Sequence, residues 1–445
     1  MNGAGCLFGW ESNWQLPKSE PAADRLKGRT VPQLRVLHAP EGRYRVTVRL
    51  AADRDCDEVL VFVGRRQLAW RGSLKAGGSR EIRTACAVAE LIPEPGMAPR
   101  TPRGIYLAVV GEGVRITGFE AERDDAMPAL ILMGDSTVTE QPGDVPYAPG
   151  AVYAGWGQLL QARLGDRACV IDEAHSGLTC EAFEQEGHYD IVRRLVRPGD
   201  RVLIQFGHND QKRIHLQAAT GYRAQMMKYV RELRAQGAVP VLVTPLARNQ
   251  WFRDGAYNDL LQAYAAQVLT LAQELVVPAI DLHGWMMDHL KAEGDEAMAS
   301  WYHADDRTHL DDFGADRAAD QIGGELTRLG LAPCEKLPVW PMHGPTEPLD
   351  APVYDEKTRL TEAAARSYTL TARAEGTSIR LRWDRPVDWT PQMRYCVMLD
   401  GVMLTQIPEE TYTLKDLQPG HMCELAIFDM PQGRMVAACR CRVDG

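Results

Sequence analysis

From Arg43 the chain alternates, with Tyr44, Val46, Val48 and Leu50 on one face and Arg45, Thr47 and Arg49 on the other. This period of two predicts a half-buried strand. Short β-rich runs follow at 59–63, 81–88, 105–110 and 114–119, broken by turn clusters at 75–79 and 93–96. Helical periodicity is absent, so residues 1–125 are expected to form an N-terminal β-sandwich. At Pro128 the pattern changes to short apolar runs alternating with amphipathic stretches, as in βαβ units around a parallel sheet. Strands are placed at 129–133, 168–172, 201–206, 239–244 and 277–281, and helices near 156–164, 189–196, 221–236, 258–275 and 313–329. Residues 126–332 therefore read as a doubly wound α/β domain. Pro333, Pro338, Pro341, Pro345, Pro348 and Pro352 then stiffen a linker over 333–355. Alternation returns in 356–445, where Ile379, Leu381 and Trp383 oppose Arg380 and Arg382, and Tyr395, Val397 and Leu399 lead into an Asp400-Gly401 hairpin turn. This predicts a second β-sandwich.

Composition narrows the function. Apolar residues at 45% and charged residues at 25% exclude extensive disorder. The balance of 50 basic against 60 acidic residues, a net charge of −10, lacks the basic face a nucleic acid needs. The longest strongly apolar run, 129–133, is too short to span a bilayer. The first 21 residues carry no basic segment followed by an apolar core. The ten cysteines are scattered without a CxxC pair, and no Asn-x-Ser/Thr acceptor occurs. These features lead us to expect a cytoplasmic protein with reduced core thiols. His303 with His309, and His283 with His289, lack zinc-ligand spacing and are expected at surface or capping positions. Asp305, Asp306, Asp311 and Asp312 lack the calcium-loop pattern and are expected to be solvated or to cap the following helix. No metal and no cofactor is implied.

The chemistry gathers at strand ends. The first three central strands run into Gly134-Asp135-Ser136-Thr137, Ala174-His175-Ser176-Gly177 and Gly207-His208-Asn209-Asp210. In a flavodoxin-like order, 2-1-3-4-5, these ends are neighbours at the point where ligands bind. A fourth cluster, Asp306-Arg307-Thr308-His309, precedes the last helix and can reach the same edge. A serine nucleophile needs a base, and the base needs an orienting group. With Asp306 on Nδ1, His309 is left with Nε2 free to take the Ser136 proton. The backbone N–H groups of Ser136 and Gly177 and the Asn209 amide supply an oxyanion hole.

Gly134-Asp135-Ser136, Gly177, Gly207-His208-Asn209-Asp210 and Asp306-x-x-His309 stand in the order of the four blocks of the SGNH (GDSL-like) hydrolases, which the chain resembles. The block spacing of that family selects Asp306 over Asp305 as the orienting acid. The longer strings GDSTVTEQ at 134–141, GWGQ at 155–158 and QFGHNDQK at 205–212 look like bacterial rhamnogalacturonan acetylesterases of carbohydrate esterase family 12. That resemblance implies a three-layer flavodoxin-like SGNH domain and a galactose-binding-like N-terminal β-domain. The spacing after residue 356 resembles a fibronectin type III module, with an immunoglobulin-like sandwich fold. Two segments depart from the pattern: Leu178-Thr179 stands where the family has Arg-Ser or a similar polar pair, and the 147–155 loop carries an extra aromatic and proline.

The resemblance implies an acetylated polysaccharide or oligosaccharide substrate, with acetylated rhamnogalacturonan first. Lys212, Arg213 and Arg248 are candidates for a galacturonate carboxylate, and Trp251 and Trp301 for stacking on sugar rings. Two other readings stay open: an acetylxylan or broad acetyl-oligosaccharide esterase, and a non-catalytic carbohydrate-binding protein.

Overall fold

The computed structural model describes residues 33–444 except 65, 93–97, 103, 141–153, 214, 252–255, 304–305, 340–369, 386–393, 400–401, 416 and 431–433. The turns expected at 93–96 and at Asp400-Gly401, most of the 147–155 loop, Asp305 and linker residues 340–355 lie outside the described residues. The described residues fall into two compact units, one up to residue 339 and one from residue 370.

The first unit opens with seven strands: β1 (Gln33–His38), β2 (Gly42–Ala52), β3 (Cys56–Gly64), β4 (Gln67–Leu74), β5 (Ser79–Val88), β6 (Gly104–Val110) and β7 (Val114–Arg123). They form two antiparallel sheets, ordered β1-β6-β3-β4 and β5-β2-β7. The alternation in β2 sends Tyr44, Val46, Val48 and Leu50 into a core shared with Val59, Val61, Val63 and Leu107 of the facing sheet. The β1-β6-β3-β4 sheet is apolar on its other face too. Leu60, Phe62, Leu68, Tyr106 and Ala108 join the core of the following domain. Burial on both faces explains why 59–63 reads as a continuous apolar run. It also hides β4, whose polar Arg71 and Ser73 break the pattern.

The central sheet holds β8 (Ala129–Gly134), β9 (Cys169–Asp172), β10 (Arg201–Gln205), β11 (Val239–Val243) and β12 (Ala279–Ile280), all parallel and ordered β12-β11-β10-β8-β9. In chain order this is 2-1-3-4-5, so the ends of β9, β8 and β10 are neighbours. Around the sheet run α1 (Trp156–Leu164), α2 (Cys180–Gln185), α3 (His188–Leu195), α4 (Arg223–Ala235), α5 (Gln262–Leu275), α6 (Leu282–Met298) and α7 (Asp312–Arg328). Two apolar clusters bury the sheet faces. The sequence reading left out α2 and α6. Helix α6 carries Leu282, Met286, Met287 and Leu290 on its buried side, but it is broken at Gly294, whose φ of 82° is left-handed. Glycine tolerates that φ without the steric penalty of a side chain.

Buried charge joins the N-terminal strands to the central sheet within this unit. The Arg43 guanidinium donates to both carboxylate oxygens of Asp200 and to Met127 O, and Asp200 also accepts from Ala129 N. Arg163 of α1, wholly buried, bonds Asp316 and Asp320 of α7, and Arg71 of β4 reaches Asp316 at 3.1 Å. Removing one partner of such a pair leaves an uncompensated charge, a loss of about 3–5 kcal/mol.

The second unit contains β13 (Leu370–Glu375), β14 (Ser378–Trp383), β15 (Arg394–Leu399), β16 (Val402–Ile407), β17 (Thr411–Leu414), β18 (Met422–Met430) and β19 (Arg434–Arg442). Its antiparallel sheets are ordered β13-β14-β17 and β16-β15-β18-β19. Ile379, Leu381, Trp383, Tyr395 and Val397 form its core, with the Trp383 ring edge-on to Tyr395.

Candidate active site

Ser136 sits on a tight turn at the end of β8. Asp135 shapes that turn: its Oδ1 accepts from Thr137 N at 2.9 Å and Thr137 Oγ1 at 2.8 Å, and its backbone oxygen accepts from Val138 N and Thr139 N. A side chain at Gly134 would lie 2.5 Å from Val138 Cγ2 and 2.9 Å from Gln205 O. Behind the turn runs a buried polar chain. Trp156 Nε1 donates to Gln205 Oε1, Gln205 Nε2 donates to Thr137 Oγ1, and Asp135 Oδ2 faces His208 Nδ1 at 3.3 Å. The other ring nitrogen of His208 lies 2.9 Å from Leu246 O. Burial pushes the Asp135 carboxyl up, but His208 and the Thr137 donors outweigh it and hold it below its ordinary value. Sequence reasoning assigned no role to Thr137, Trp156, Gln205 or His208. Their presence in the GDSTVTEQ, GWGQ and QFGHNDQK strings was the available signal.

His309 Nε2 lies 2.8 Å from Ser136 Oγ, and His309 Nδ1 lies 2.7 Å from Asp306 Oδ2. Asp306 Oδ1 accepts from the backbone N–H groups of Thr308 and His309, which fixes the carboxylate plane. Ser136 is only 7% exposed. Burial raises the Asp306 carboxyl, yet the imidazole and the two N–H donors bring it down to about 2. Asp305 lies outside the described residues, so the choice between the two acids is set by these Asp306 contacts.

The neighbouring loops are tied to this turn. His175 N donates to Gly134 O, and Thr139 Oγ1 donates to Ala174 O. Gly177 has φ of 85°, a conformation that favours glycine. Asn209 Nδ2 donates to Leu178 O at 3.0 Å and its Oδ1 accepts from Lys212 Nζ at 3.0 Å, so these partners set the amide orientation. One Nδ2 proton remains for an oxyanion. Asn209→Ala is expected to lower kcat by about 10²- to 10³-fold with KM little changed. A steady-state measurement showing a change in KM alone would make Asn209 a sugar ligand instead.

Two of the substrate-binding expectations need correction. Arg248 is 9% exposed and braces the site from within, donating to His208 O at 2.9 Å and Thr308 Oγ1 at 3.1 Å. Burial lowers its pKa while Asp135 and Asp306 oppose that. Trp301 is 4% exposed and packs among Trp285, His289 and Phe313, which leaves no open ring face for a sugar. Lys212 is exposed and donates to Asn209 Oδ1. Arg213 is partly buried, and Trp251, also partly buried, donates to Asn249 Oδ1 and meets Tyr257 edge-on. His283 is likewise not a surface residue: it is buried, with Nε2 at 3.1 Å from Asp259 and Nδ1 at 3.2 Å from Pro245 O. Asp311 caps α7 through Gly314 N and is buried rather than solvated.

Two carboxyls of the site respond to pH in opposite senses. Asp306, unfolded near pH 4 and folded at about 2, contributes about 2 kcal/mol above pH ~4 that is lost as pH falls toward 2. Asp210 accepts from Cys180 N at 2.8 Å, yet burial first and then Asp135 push it up to about 6. Its contribution is complete below about pH 4 and is lost as pH rises through 6. Urea melts across pH should therefore show a flatter profile between about 4 and 6 in Asp210→Asn. An unchanged slope in that variant would contradict the assignment.

Residues 132–317 match the profile of the GDSL-like Lipase/Acylhydrolase family. The chain is 30% identical over 215 residues to the rhamnogalacturonan acetylesterase RhgT of Bacillus subtilis (strain 168), covering 45% of this chain and 90% of that protein. It is 28% identical over 216 residues to the probable rhamnogalacturonan acetylesterase YesY of the same organism, covering 47% and 96%. The crystal structure of the Bacillus subtilis protein YxiM is similar with 22% identity and a TM-score of 0.44, over 66% of this chain and 80% of that one. With the serine, glycine, asparagine and histidine blocks gathered at one sheet edge and this extent of likeness, the chain belongs to the GDSL-like lipase/acylhydrolase (SGNH) family.

Proposed function

We propose that the chain is a serine esterase that removes acetyl groups from plant cell-wall carbohydrate, with acetylated rhamnogalacturonan fragments as its substrate. The observation that carries the esterase reading is the 2.8 Å approach of His309 Nε2 to Ser136 Oγ, with Asp306 on the far side of the ring. Ser136 Oγ attacks the acetyl carbonyl carbon and its proton passes to His309 Nε2. The oxyanion is held by the N–H groups of Ser136 and Gly177 and the spare Asn209 Nδ2 proton. Collapse expels the sugar oxygen, which takes the proton from His309. Water then attacks the acetyl-serine, gives a proton to His309, and acetate leaves as Ser136 regains its hydrogen.

The rhamnogalacturonan reading is supported by the names of the relatives and by two cations beside the oxyanion residue. Lys212 spends one of its three donors on Asn209 Oδ1, and Arg213 follows it. Together they suit a galacturonate carboxylate. The C-terminal unit is read as fibronectin type III-like because three strands face four with a buried Trp383. The N-terminal strands are read as galactose-binding-like on the resemblance.

Acetate release from acetylated rhamnogalacturonan oligosaccharides should outpace release from acetylated xylo-oligosaccharides of equal length, with the gap narrowing as salt screens exposed charge. Equal or reversed rates at low salt would favour an acetylxylan or broad esterase. No release from any ester would favour a carbohydrate-binding protein.

A further inference from the structure

Three carbonyls that follow Ser136 are held by other segments. Thr137 O accepts from Trp156 N at 3.1 Å and Val138 O from Gly157 N at 3.0 Å, both in the first turn of α1. Glycine at 155 and 157 makes this approach feasible, because a side-chain carbon there would lie 2.2 Å from Thr139 O and 2.5 Å from Val138 O. Two residues further on, Glu140 O is taken by a residue from a different part of the fold. Arg66 Nη1, from the β3–β4 hairpin, donates to it at 3.1 Å.

Arg66 is well placed to act as a clamp. It is 7% exposed and directly precedes β4, which pairs with β3. Its own carbonyl accepts from Gln158 Nε2 of α1 at 3.2 Å. The backbone of Arg66 is thus fixed to the helix that holds one part of the nucleophile turn, while its guanidinium holds another. Burying a guanidinium is costly unless its donors are met, and here one donor is spent on the segment four residues beyond Ser136.

We propose that Arg66 is a positioning residue for the nucleophile, so that the β3–β4 hairpin of the N-terminal β-domain is a working part of the esterase site. This rests on the reading of Ser136 as nucleophile. The hairpin fixes the backbone path through Glu140 and thereby the distance from Ser136 Oγ to His309. Because small misplacements of a reacting group cost up to about 10²-fold in rate, the effect appears in chemistry rather than in substrate affinity.

The test uses the full chain. Arg66→Met keeps the apolar stem and removes the donor, and Arg66→Lys returns a cation. Arg43→Met breaks the buried pair with Asp200 and serves as a control for loosened packing between the N-terminal strands and the central sheet. The readouts are kcat and KM on p-nitrophenyl acetate and on an acetylated oligosaccharide, together with the rate at which a fluorophosphonate labels the folded protein. Arg66→Met is expected to lower kcat and the labelling rate by about 10-fold or more on both substrates, with KM within about twofold, and Arg66→Lys to recover part of the loss. Arg43→Met is expected to lower the melting temperature while labelling at the normal rate. Labelling of Ser136 at an unchanged rate in Arg66→Met, a rise in KM alone, or equal slowing in Arg43→Met would overturn the role of Arg66. Labelling of a residue other than Ser136 would instead overturn the reading of the site on which it rests.

Discussion

Ser136→Ala is expected to reduce ester turnover by on the order of 10⁶-fold, to the level that oxyanion stabilisation and binding alone sustain. The hydroxyl is the group held 2.8 Å from His309 Nε2, and no acyl intermediate can form without it. The fold should survive. The turn around Ser136 is built by Asp135, Thr137 and backbone groups of Val138 and Thr139, none of which depends on the Ser136 hydroxyl. The substitution removes the hydrogen bond to His309, an effect of about 1 kcal/mol on stability. Unchanged circular dichroism with turnover at background is the predicted pair of results. Substantial remaining activity would mean that another nucleophile operates.

The second large effect is predicted for Asp306→Asn, and it follows from which atoms face the carboxylate. One oxygen accepts two backbone N–H groups and the other faces His309 Nδ1. An asparagine must keep its only acceptor on the two N–H donors and so turns its amide NH₂ toward Nδ1. That forces the imidazole proton onto Nε2, where it points at Ser136 Oγ and cannot accept the hydroxyl proton. A loss of about 10⁴-fold in kcat with KM nearly unchanged is expected, as for other triads given the wrong tautomer. Near-normal kcat from this variant would show that Asp306 does not set the tautomer.

What the sequence revealed was what local pattern encodes. The period-two alternation of Tyr44, Val46, Val48 and Leu50 placed β2, and the change of period after Pro128 placed the central sheet. Four short blocks in order were enough to bring Ser136, Asn209, Asp306 and His309 into view, because each block keeps its residues within a few positions of one another. What stayed hidden depends on partners distant in the chain. Arg248 looked like a rim cation since charge patterning does not report that its guanidinium meets His208 and Thr308, 40 and 60 residues away. Trp301 looked accessible because its packing partners come from α6 and α7, the first of which the pattern did not disclose. Asp135 and His208 lie 73 residues apart, and the Arg66 contact to Glu140 spans 74. The Asn209 amide was legible as a donor, but not the Lys212 contact that helps to orient it.

In the proposed reaction the chain hydrolyses acetyl esters through a covalent acyl intermediate on Ser136. Peptide mapping of the protein after reaction with a serine-directed fluorophosphonate, run beside an acetate-release assay on the same sample, checks this intermediate. The expected result is a single adduct on the peptide containing Ser136, loss of acetate release in proportion to its formation, and no adduct in Ser136→Ala. An adduct at another residue, or full acetate release from protein fully modified at Ser136, would contradict it.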